Sequence, residues 1–112
     1  MKILTILVSR YWFPPDQSSK IAKLYVEWLK DNPPQPDVDK TLAISVTSAE
    51  TGEILVYGIG QIGKGKEQEA LVNATKQSLF LAGKIEGFRY KTEITMDFSE
   101  AYKVLGMTAP DI

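Results

Sequence analysis

Arg10, Tyr11, Trp12 and Phe13 form the densest aromatic and cationic cluster in the sequence. Flat rings of this kind stack on apolar or aromatic ligands, and a guanidinium can pin an acid group. The same run also suits the end of a central strand, with the rings filling a core and Arg10 reaching the rim. A second segment, GIGQIGKGK at 58–66, carries the glycine spacing of phosphate-binding loops and leads into a helix. Free N–H groups at a helix N-terminus favour phosphate. The phosphate loop, however, holds magnesium through a Ser or Thr after its lysine, and Gly65 stands there. The dinucleotide fingerprint needs a parallel βαβ unit, which the hairpin pattern before this segment opposes. The glycines are therefore read as letting a central strand bend or bulge. No nucleotide or other cofactor is expected.

The chain has no histidine and no cysteine. That excludes within one chain a His base, a Ser-His-Asp triad, a thiol nucleophile and a Cys/His zinc site. Acid–base work would fall to Asp, Glu, Lys or Tyr, and no pair of these is singled out by its spacing. No catalytic residue is named, and no metal is expected because the carboxylates do not cluster. Lys and Arg number 13 against 14 Asp and Glu, a net charge of −1. Nothing in that balance marks a nucleic-acid surface. The apolar run Ile3–Val8 is too short for a signal core or a membrane span. A soluble, cytoplasmic protein with no membrane or nucleic-acid partner is expected. The 112 residues fit a single domain, 1–112, and their 44 % apolar content supplies one modest core.

Residues 2–13 predict a strand that is apolar on both parities: Leu4, Ile6, Val8 and Trp12 against Ile3, Leu7, Tyr11 and Phe13. Pro14 and Pro15 end it. Ile21, Leu24, Tyr25, Trp28 and Leu29 form one stripe of a helix over 17–30. The proline-rich stretch 31–39 is a stiff connection. Residues 40–47 alternate as a half-buried strand, SAETGE turns, and 53–62 form a strand apolar on both faces. A second helix spans 66–82, with its stripe running through Leu71, Ala74, Thr75, Ser78 and Leu81 and widened by Val72 and Leu79. Phe80 lies off that stripe and is read as a contact for the tail or a partner subunit. The last strand is 85–96, where Arg89, Lys91, Glu93 and Asp97 make a solvated edge. A short helix capped by Ser99 follows, with Val104 and Leu105 packing back.

Strand, helix, strand, strand, helix, strand is the order of an α+β, ferredoxin-like βαββαβ domain. Its antiparallel sheet has the order 4-1-3-2, with two helices on one face. Strands one and three, the two-sided ones, are then central, and the one-sided strands are edges. Two helices cover only one face, so the other is expected to meet a second copy of the chain. In element order and strand patterning (KILTILVSRYWF, TLAISVT, EILVYGIGQI, GFRYKTEITM) residues 2–97 resemble the dimeric α/β-barrel superfamily. That resemblance implies a homodimer joined through its sheet faces, and a ligand cavity between sheet and helices. Arg10, Trp12, Tyr57 and Tyr90 are the ligand-binding candidates, because that topology brings the start of the third and fourth strands beside the end of the first. Two functions remain: binding of a small apolar or aromatic ligand, or a non-catalytic assembly or stress-related homo-oligomer without a ligand site.

Overall fold

The computed structural model describes residues 4–112. Its elements are β1 (Thr5–Phe13), α1 (Ser18–Asp31), β2 (Asp39–Ser48), β3 (Ile54–Ile62), α2 (Glu67–Ala82), β4 (Arg89–Thr95) and α3 (Phe98–Val104), with a 3-10 turn at Pro15–Gln17. The first two residues of the strand expected at 2–13 lie outside the described residues. The four strands make one antiparallel sheet of order β2-β3-β1-β4, so β1 and β3 are central as their two-sided apolarity requires. This is an α+β domain.

The register sorts the residues onto two faces. Tyr11 pairs with Val56 and Tyr90, Ser9 with Gly58 and Thr92, and Leu7 with Gly60 and Ile94. These share the face that carries α1 and α2. Ile6, Val8, Arg10 and Trp12 point the other way, with Leu55, Tyr57 and Ile59 of β3. Neither α1 nor α2 covers that second face, called here the open face. The core on the helix side is small: Leu7, Val38, Ile62 and Ala70 form its buried cluster, with Ala74 packed against it.

Four expectations need correction. The last strand starts at Arg89 rather than 85, because residues 84–88 belong to the exit from α2. Ile85 N–H donates to the Leu81 carbonyl, and Phe88 N–H to that of Ile85. Gly87 then turns with φ of 79°, a conformation L side chains resist, and a Cβ there would press on Pro14. The stripe of α2 is narrower than read: Ser78 and Leu81 are buried on it and Ala74 half-buried, but Ala70 takes the place of Leu71. Its fully buried residues are Ala70, Ser78 and Leu81, whereas Leu71, Val72 and Leu79 are exposed. Small side chains win the sheet-facing line because they let the helix sit close to β1. Phe80 packs within its own subunit, its ring centroid 5.1 Å from that of Trp28, with Lys84 Nζ 5.2 Å above it. Finally, α3 begins at Phe98 after Asp97, not at Ser99. Val104 and Leu105 do not pack back but stay exposed, because Gly106 closes the helix by donating to the Lys103 carbonyl.

β2 departs from the half-buried strand read in the sequence. Leu42, Ile44 and Val46 are 48 %, 54 % and 67 % exposed. A bulge between Thr41 and Ala43 adds a residue on this strand. It shifts the phase, so Asp39 and Thr41 join Ile44 and Val46 on the helix side.

Candidate functional site

A cavity of about 600 Å³ lies between the sheet and the two helices. Its floor is hollow because the central strands are nearly bare there. Ser9 stands opposite Gly58, and Leu7 opposite Gly60, on the helix side of the sheet. A Cβ at Gly58 would meet only the Ser9 Cβ, at 3.8 Å. The missing side chains at these pairs are space that the helices do not fill. Thr41, Ile44 and Val46 of β2 extend the floor toward its open side.

The roof is aromatic and aliphatic. α1 contributes Ile21, Tyr25, Trp28 and Leu29, and α2 contributes Ala74, Gln77 and Leu81. The proline-rich connection forms a rim and is tied down at Gln35. Asn73 Nδ2 donates to Gln35 Oε1 at 3.1 Å, and the amides of Val38 and Asp39 donate to its carbonyl at 2.9 and 3.0 Å.

Two polar groups of the lining define its chemistry. Tyr11 OH accepts a hydrogen bond from Gln77 Nε2 at 3.0 Å and lies 3.4 Å from Ser78 Oγ, which itself donates to the Ala74 carbonyl. Burial pushes the Tyr11 hydroxyl above its ordinary pKa, and the neighbouring charges of Tyr25 and Asp39 push the same way against these hydrogen bonds. Asp39 is the second group. Among the described residues its Oδ1 is buried with no hydrogen-bond partner, and burial raises its pKa. The carboxyl occupies the place a side chain at position 60 would take: a Cβ at Gly60 would overlap Oδ1.

The four residues singled out from the sequence lie elsewhere. Arg10, Trp12 and Tyr57 share the open face. Arg10 pairs with Glu93 and stands 5.7 Å from the Tyr57 ring, while the Arg89 guanidinium covers Trp12 at 4.9 Å and bonds Glu53 at 2.6 Å. Tyr90 is on the opposite face, beside Phe88, which in turn meets Tyr11. The structure therefore brings three of the four together and separates Tyr90 from them, and none of the four lines the cavity. The lining residues absent from that set are Tyr11, Tyr25, Trp28 and Asp39. Their signal was the coincidence of Ser9, Gly58 and Gly60 in paired central strands.

GIGQIGKGK is the second half of β3, a turn and the entry to α2. The Gly63 amide is already engaged with the Val38 carbonyl, and the first turn of α2 carries Glu67 and Glu69. Among the described residues no group of three or more carboxylates converges as a metal site would, and no helix is long and apolar enough to cross a membrane. Comparison with protein-family models, with curated proteins and with solved structures gives no match.

Proposed function

We propose that the protein binds a small apolar or aromatic ligand in the cavity between sheet and helices. The observation that carries this is the hollow floor at Ser9 and Gly58 beneath the aromatic roof of Tyr25 and Trp28. A volume of about 600 Å³ is within the usual range for small-molecule sites. Bare central strands are costly to keep, since Gly lowers strand stability and leaves a void. A ligand that fills the void gives that glycine a use.

The test is a ligand-detected NMR screen of small aromatic compounds against the wild type and Gly58→Leu. The wild type should bind members of the set, and the leucine, projecting into the hollow, should abolish binding while the fold is kept. Equal binding by both proteins, or none by the wild type, would count against the reading.

We further propose that the chain forms a ferredoxin-like homodimer of the dimeric α/β-barrel type, in the cytoplasm. The sheet order and the helices on one face support it, as does the half-buried apolar strip of Ile6, Val8, Trp12 and Ile59 on the open face. The second reading, an assembly or stress-related homo-oligomer without a ligand, is favoured by that strip alone.

A further inference from the structure

We propose that the ligand of this cavity is a small primary amine with an apolar or aromatic body, its ammonium group held by Asp39. This rests on the ligand-binding reading above and gives that site a chemical class. Of the charged side chains in the lining among the described residues, Lys76 and Asp31 are exposed to solvent, and Asp39 is the one the fold turns inward. Its carboxyl is half-buried in the cavity lining, with Oδ1 seated against Gly60 and, among the described residues, without a hydrogen-bond partner. A desolvated carboxylate without a counter-charge is expensive, and a cation brought to its remaining lone pairs offsets that cost. Among the described residues, no Lys or Arg forms an ion pair with it.

Two features of the backbone hold the carboxylate in that position. The β2 bulge turns Asp39 to the helix side, and Gly60 leaves the room its carboxyl occupies. Without the bulge Asp39 would face the other way, and with any side chain at position 60 it would be displaced. The surroundings suit an organic cation rather than a metal. Tyr11, Tyr25 and Trp28 line the same cavity and offer ring faces, which attract an ammonium as well as an apolar body. The hydroxyl of Tyr11 is already engaged by Gln77 and has Ser78 beside it, so Asp39 is the open acceptor. Asp39 and Tyr11 both line the cavity, so the carboxylate and the ring face one compartment.

The experiment compares 2-phenylethylamine, 2-phenylethanol and 3-phenylpropionate by NMR titration near neutral pH, on the wild type, Asp39→Asn and Asp31→Asn. Asp31 also lines the cavity but is exposed at its rim, and so reports general attraction of amines to an acidic surface. The amine should bind the wild type at least tenfold more tightly than the alcohol, and the acid most weakly. Asp39→Asn should erase the preference for the amine and leave alcohol binding unchanged, while Asp31→Asn changes neither. Equal affinity for amine and alcohol, or a preference that survives Asp39→Asn, would overturn the amine assignment and leave the cavity reading standing. Failure of all three compounds to bind would remove both. Should Asp39→Asn not fold, the ranking of the three compounds on the wild type decides alone.

Discussion

Gly58 and Gly60 are neighbours on the helix side of one strand, yet they should respond oppositely to substitution. Gly58 is in ordinary strand conformation with free space beside it. Gly58→Val should therefore raise stability by about 1 kcal/mol, through strand propensity and filled space. Gly60→Ala should lower it, because the methyl displaces the Asp39 carboxyl. Urea denaturation of both variants checks the pair. The acidic residues make a second contrast. Arg89 holds the Glu53 carboxyl below its ordinary pKa, and Arg10 does the same to Glu93. Their contribution is present above the unfolded glutamate pKa and is lost as pH falls through the depressed folded values. Asp39 runs the other way: its raised pKa means that the folded state is penalised once pH rises above the unfolded value. Acid should thus destabilise the variant combining Glu53→Gln and Glu93→Gln less steeply than the wild type. The change in stability produced by Asp39→Asn should be more favourable near neutrality than at about pH 3. Denaturation midpoints at the two pH values give the answer.

At the scale of elements, α1 is the loosely held piece. None of its residues is fully buried, and its anchor is the Trp28–Phe80 ring contact with α2. Phe80→Ala should cost about 1–3 kcal/mol and raise amide exchange across 18–31 more than across β1. The glycine segment gives a further expectation. With its amide at Gly63 engaged and the sheet antiparallel, calorimetry should find no affinity for ATP or NAD. The order of strands and the two-sidedness of β1 and β3 were legible in the sequence, because burial on both faces leaves apolar residues on both parities. The bulge at Thr41–Ala43 was not. An extra residue in a strand leaves its alternation intact on either side and only shifts the phase, so Asp39 read as loop when it is floor. The candidate residues Arg10 and Trp12 fall outside the cavity for a related reason. Arg10, Tyr11, Trp12 and Phe13 are adjacent in sequence, but a strand sends neighbours to opposite faces. Only Tyr11 and Phe13 reach the cavity, while Arg10 and Trp12 look away from it.

The whole subunit is thin and open for its size. Its radius of gyration is 15.8 Å, against roughly 13 Å for a compact domain of this length. Its accessible surface is 7584 Å², against roughly 6,200 Å² for a compact monomer of this mass. Among the described residues only eight apolar side chains are buried. The excess of about 1,400 Å² is more than the roughly 800 Å² that one partner gives up in a standard interface. The open face is where a second copy would cover it, because Ile6, Val8, Trp12 and Ile59 lie there, opposite α1 and α2. Light scattering at micromolar concentration should give twice the chain mass of 12.5 kDa. Val8→Lys should break that dimer with the subunit still partly folded, whereas Leu7→Lys, which buries a charge in the core, should unfold it.

In this account the two faces of one sheet divide the work, one meeting a copy and the other a ligand. The most direct measurement is an amide chemical-shift map of the wild type titrated with 2-phenylethylamine. The predicted shifts centre on Gly58, Gly60, Asp39, Ala74 and Tyr25, around the cavity, with Val8, Arg10, Tyr57 and Glu93 unmoved. Shifts centred on Arg10, Trp12 and Tyr57, with the cavity residues still, would contradict it.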